Sequence, residues 1–214
     1  EPDATPASTA TDELPDDVSD LQPDDIAALT PDAFSDLTAD KLSDLSDNAV
    51  AAFVPKQVKK LPMEAVSGFS ESQVAELSPR AVKAFTADQV SALSPKALQS
   101  FSADQLERLS DDAVAAFIPK QVKKLSADAF SGFSKSQVAE LSPRAVKGFT
   151  ADQLEQLPKS AFKALEPVQL KKLKKDALSG LTKGQLRTLS GDEVAVFKPK
   201  KIKSIDPDAI SGLK

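Results

Sequence analysis

The groups in this sequence that could do chemistry are carboxylates, amines and hydroxyls. Cys, His, Trp and Tyr are absent, and Met occurs once. Without thiols or imidazoles there can be no zinc ribbon, thiol nucleophile, disulfide framework, imidazole base or Ser/His/Asp arrangement. Neighbouring acids at Asp16 and Asp17, Asp24 and Asp25, and Asp111 and Asp112 are formally carboxylate pairs. No acidic spacing matches a calcium loop with its turn Gly. Neither a dinucleotide-binding glycine motif nor a Walker motif is present. No catalytic, cofactor-binding or metal-binding residues are expected, and the chain reads as non-enzymatic. An active site needs a unique constellation, and this sequence repeats one surface along its length.

The amines cluster. Lys56, Lys59 and Lys60 are followed by Lys120, Lys123 and Lys124, by Lys171, Lys172, Lys174 and Lys175, and by Lys198, Lys200, Lys201 and Lys203. They suit either a solvated helix C-terminal face or a strip for an acidic polymer such as an anionic polysaccharide. Nucleic acid is disfavoured, because stacking aromatics are lacking and the net charge is −5. The distribution of charge says more than its sum. Residues 1–50 hold fourteen Asp or Glu and one Lys, a net of −13, whereas residues 159–214 hold thirteen Lys or Arg and six Asp or Glu, a net of +7. No apolar run approaches the length of a membrane span, so no membrane insertion is expected.

The elements that must carry these groups follow from a repeat. From Leu21, every eighth residue to Leu213 is Leu, Phe or Ile, twenty-five positions without an insertion. Five residues after each of the first twenty-four anchors stands a second apolar residue, from Ile26 to Ile210. Numbered from the anchor, position 2 favours Ser or Thr and position 3 favours Pro. Ser or Thr at an N-cap accepts a backbone N–H, and Pro at the first helical position forfeits no helical bond. Thr86 with Gln89 forms a capping box, and the two apolar sites form a hydrophobic staple. Gly68, Gly132, Gly148, Gly180 and Gly212 at position 8 are expected to be left-handed C-terminal residues. Each octad is therefore a helix of about a turn and a half followed by a bend. Pro at this spacing would break a coiled coil, and Ala, Gln, Lys and Asp are poor strand formers.

Such a helix is unstable alone, so neighbouring octads must stack. The expected fold is an all-α solenoid of about twenty-four short helices over residues 21–214. From Leu45 to Leu157 the anchors alternate Leu with Phe, and position 5 alternates Ala with Gln. The structural unit is thus sixteen residues. Gln57, Gln73, Gln89, Gln105, Gln121, Gln137 and Gln153 either close their own capping boxes or form an amide ladder between units. Residues 45–92 and 109–156 match at 37 of 48 positions, which marks a duplicated sixty-four-residue block. The superhelical pitch is not fixed by the pattern. Two octads per turn would give a rod of roughly 100 Å.

Units such as LSPKALQS and FTADQLEQ resemble the octapeptide repeats, L-[ST]-x-x-x-[VL]-x-x, of large bacterial surface and secreted proteins. They are more distantly similar to the short-helix repeats of the mesothelin and stereocilin group. The resemblance covers residues 21–214 and implies an extracellular or cell-surface α-solenoid with no catalytic residues.

Residues 1–20 form an acidic Pro- and Thr-rich segment, expected to be an extended or disordered arm. Thr5, Ser8, Thr9 and Thr11 beside Pro2 and Pro6 are candidate O-glycan acceptors. The first residue is Glu rather than Met, which fits removal of a leader and equally fits a fragment cut from a longer chain. The repeat stops in register at Leu213 without a distinct cap, and a non-closing head-to-tail contact builds a filament. Self-association of an acidic head (Asp12, Glu13, Asp16, Asp17, Asp20) with a basic tail (Lys198, Lys200, Lys201, Lys203) is therefore the expected function, with a monomeric adhesive solenoid as the alternative.

The register makes a simple prediction. Ser142→Ala removes an N-cap and should cost about 1 kcal/mol, whereas Ser136→Ala, at position 4, should cost much less. Thermal unfolding of the two variants checks this, and equal shifts would contradict the octad register.

Overall fold

The structure, a computed structural model, describes residues 11–213. Nineteen α-helices and five 3-10 helices lie between Pro23 and Ile210, one for each of the twenty-four octads. The chain is an all-α solenoid.

The local geometry follows from the octad. Ser134 is extended at φ −82° and ψ 168°, and its hydroxyl accepts the Gln137 N–H at 3.1 Å to start the helix Lys135–Glu140. The next anchor, Leu141, returns to φ −57° and ψ 125° and ends the helix. Ser142 accepts the Ala145 N–H at 3.0 Å, as a cap should. Where position 2 is Val54 or Ile118, no side chain caps the helix, and Pro at the first position spares one donor.

The two members of each sixteen-residue pair differ. Octads with Gln at position 5 give six-residue α-helices as far as Ala151–Gln156. Octads with Ala there give shorter α-helices, and they contain all five 3-10 helices.

Anchors and position-6 side chains make one continuous core, with Phe117 at 2% and Val122 at 0% exposure. Each buried Leu, Val or Phe contributes roughly 1.5–3 kcal/mol, which a single turn of helix lacks. Phe53, Phe69 and Phe85, sixteen residues apart, meet edge to face at 6.5 and 6.1 Å.

Helices pack on those three octads away: Ala103–Arg108 on Asp128–Gly132, and Pro119–Lys124 on Ala145–Gly148. Side-chain bonds reach 28 and 31 residues back along the chain. One superhelical turn therefore takes between three and four octads. The rod has six to eight layers, roughly 50–80 Å at ordinary helix spacing, and is shorter than two octads per turn would make it.

The expectation for glycine is corrected. No described Gly has positive φ. Gly132 is needed because its α-carbon lies against the preceding layer, where an added Cβ would fall 2.1 Å from the carbonyl oxygen of Ala103. Gly68, Gly148 and Gly180 meet Ala39, Pro119 and Ala151 in the same way. Close approach between backbones, not turn conformation, selects the residue.

Residues 11–20 have no helix but pack on the first layers. Val18 is buried and Leu14 half-buried, and the Thr11 N–H donates to the carbonyl of Ala28 at 3.3 Å. The apolar core thus begins before Leu21.

Candidate functional site: the glutamine rows and the charged surface

A helix of six residues leaves most of its backbone groups without intrahelical partners. Position 5 satisfies them from two sides at once. Nine glutamines, Gln57 to Gln185 at sixteen-residue steps, are buried to 3% exposure or less. Each Oε1 accepts the N–H of its own N-cap residue at 2.6–3.0 Å. Each Nε2 donates to the carbonyls 31 and 28 residues earlier, at 2.6–3.1 Å. Gln121, for example, joins the Ile118 N–H to the carbonyls of Val90 and Leu93.

The amide therefore caps the start of its own helix and the end of a helix one layer earlier. Both readings offered by the sequence are true in part: the capping boxes close, and the same amides tie units together. The ties run from amide to backbone rather than from amide to amide. Their signal in the sequence is the Gln spacing itself, but the partner carbonyls leave no mark there.

The row changes chemistry at its ends. Asp25 accepts the Gln22 N–H at 2.8 Å and offers no donor when ionised. Lys41 sends its Nζ to the carbonyl of Pro15 at 3.0 Å and lies 3.9 Å from Asp16. Lys201 donates to the carbonyls of Lys171 and Leu173, 30 and 28 residues back. Its pKa is lowered by burial first, then by the like charges of Lys198 and Lys172.

A second row is made of position-5 Ala, from Ala33 to Ala209, and it is broken once, by Glu193. That carboxylate turns to the Ser190 N–H at 2.6 Å, which holds its pKa down, helped by the Ser190 hydroxyl. Position 8 of the same octad is Val196, where most of its counterparts are Gly, Ala or Ser. The helix Gly191–Ala195 has no buried residue.

The residues singled out for assembly are dispersed. Asp12, Glu13, Asp16, Asp17 and Asp20 are exposed near the first layers, with Asp12 accepting from the Thr30 hydroxyl at 2.7 Å. Asp17 accepts the backbone N–H and hydroxyl of Ser19, which lower its pKa in that order. Lys198, Lys200 and Lys203 are exposed near the last layers. Lys201 is turned inward and belongs to the carbonyl-capping row rather than to a free basic face. Thr11 is exposed, while Thr5, Ser8 and Thr9 lie outside the described residues.

Two ion pairs occur among the described residues, Lys41 with Asp16 and Lys60 with Asp32, the latter at 2.6 Å. Lys123 and Lys174 share a groove of about 240 Å³ with residues 148–151. Of the carboxylate pairs, Asp24 and Asp25, and Asp111 and Asp112, occupy first helical turns. Among the described residues no three Asp or Glu gather as metal ligands would, and no helix is long and apolar enough to cross a membrane.

These features define a class, an all-α short-helix repeat with a buried Gln every sixteen residues. Comparison with profiles of known protein families and with curated proteins finds no match.

The row's dual role is testable. Gln121→Glu keeps the acceptor for the Ile118 N–H but sets a carboxylate against two carbonyls. It should destabilise by about 3 kcal/mol or more at neutral pH. Gln99→Glu, at a half-exposed position 7 outside the row, should cost under about 0.5 kcal/mol. Chemical denaturation of both checks this, and equal losses would contradict the role assigned to the row.

Proposed function

We propose that the chain is a non-enzymatic structural protein of extracellular or cell-surface type, a rod whose copies associate head to tail. The observation that carries this reading is the separation of charge along the rod. Residues 1–50 are net −13 and residues 159–214 net +7, and the exposed members of the two groups lie at opposite ends of the layer order. Complementary potentials steer association and fix its polarity. The repeated surface, which offers the same side chains layer after layer, suits a scaffold better than a reaction centre. The resemblance to octapeptide repeats of bacterial surface and secreted proteins supports the location.

Sedimentation velocity and light scattering across ionic strength test the reading. Exposed charges are screened over about 8 Å at physiological salt, so association should weaken as salt rises. The variant Lys198→Glu, Lys200→Glu, Lys203→Glu should associate less while keeping the wild-type circular dichroism. Lys201 is left unchanged because it holds two carbonyls. A chain that stays monomeric at high concentration and low salt would overturn the proposal.

A further inference from the structure

The middle of the rod carries cations that the charge separation does not explain. Arg80 and Lys83, on and just after the helix Pro79–Val82, face Arg108 at the end of Ala103–Arg108. With Pro79 they line a groove of about 370 Å³. All three side chains are exposed, and none forms an ion pair among the described residues. Asp104 and Glu107 lie on the same helix as Arg108 but do not line the groove. Three cations gathered without a carboxylate repel one another, and an anion would relieve that cost.

The arrangement occurs twice in the sequence. Pro143, Arg144, Lys147 and Lys172 stand sixty-four residues after Pro79, Arg80, Lys83 and Arg108. Because the octad register is unbroken, the second set occupies the same positions in later layers. Arg144 directly precedes the 3-10 helix Ala145–Gly148, and Lys172 follows Arg144 by the same 28 residues that separate Arg108 from Arg80.

We propose that this groove and the equivalent exposed set at Arg144, Lys147 and Lys172 bind an anionic polysaccharide, each holding a sulfate or carboxylate group of the same chain. The planar guanidinium fork suits such groups. Two such basic sets on one rod favour a ligand that repeats its charge, because the second contact becomes intramolecular. Nucleic acid fits less well. Single strands are held largely by bases stacked on aromatic side chains, and all eleven Phe are buried with no Trp or Tyr present.

The test uses the full chain with heparin, polygalacturonate and a thymidine oligonucleotide as probes, followed by titration calorimetry at two salt concentrations. Heparin or polygalacturonate should bind, more weakly in higher salt, and the tighter of the two identifies the anion. Arg80→Ser, Lys83→Ser, Arg108→Ser should lower that affinity roughly a hundredfold by removing one of two sites. The matching triple variant at Arg144, Lys147 and Lys172 should do the same, and the combined variant should abolish binding. These side chains are exposed, so circular dichroism should not change. Lys198→Ser, Lys200→Ser, Lys203→Ser should keep most of the affinity, which separates this site from the head-to-tail contact. Wild-type binding by the combined variant would overturn the proposal. So would an equal loss on neutralising Lys198, Lys200 and Lys203, or tighter binding of the oligonucleotide than of either polysaccharide.

Discussion

The structure depends on one primary amide used three times. A helix of a turn and a half has little internal hydrogen bonding, and its ends would be costly to bury without partners. The position-5 glutamine meets that constraint with the smallest group that accepts once and donates twice. Its acceptor faces one N–H and its donors face two carbonyls, so reversing the amide would set like against like. The bonds to residues 28 and 31 positions back tie each Gln-bearing octad to an earlier layer. They bias the stack toward one pitch. Among the described residues, the Ser204 hydroxyl is the one buried side-chain polar atom without a partner.

Packing completes what the amides begin. Position 8 of the Ala-bearing octads lies beside the first helical residue of an octad 29 positions earlier, so bulk is limited there. At Ser100 the hydroxyl donates to the Glu71 carbonyl at 2.6 Å in that seam. The large buried apolar side chains of the octads stand at positions 1 and 6, where they fill the core. The octad at residues 189–196 departs from the pattern, with Glu193 for Ala and Val196 at the seam, and its helix has no fully buried residue, Val194 being half-buried against the core. Stability in a solenoid is a sum over neighbours, so this octad and the next, whose helix Pro199–Ile202 also has no buried residue, add less to it than the octads before them.

Much of this was legible in the sequence. The anchors, the position-6 apolar residues and the Ser caps each follow from local rules, and Ser134 and Ser142 behave as those rules require. Alternation of Ala with Gln marked the sixteen-residue unit. The pitch was not legible, since it depends on which distant carbonyls an amide reaches. The glycines misled for a related reason: Gly at a helix end suits a left-handed turn, and close approach to another layer leaves the same residue type. Lys201 looked like one more surface lysine. Only its position in the Gln register indicated an inward role. For the charged residues, sequence supplied the clusters, while the arrangement of Arg80, Lys83 and Arg108 needed the superhelix.

The central claim is that nine Gln side-chain amides are buried bridges between layers. Hydrogen exchange of side-chain NH2 groups, followed by NMR, addresses it directly. Gln57, Gln73, Gln89, Gln105, Gln121, Gln137, Gln153, Gln169 and Gln185 should exchange slowly, on the scale of the core backbone, while the exposed Gln22 and Gln156 exchange rapidly. Nine side chains exchanging as fast as Gln22 and Gln156 in a folded chain would contradict the account.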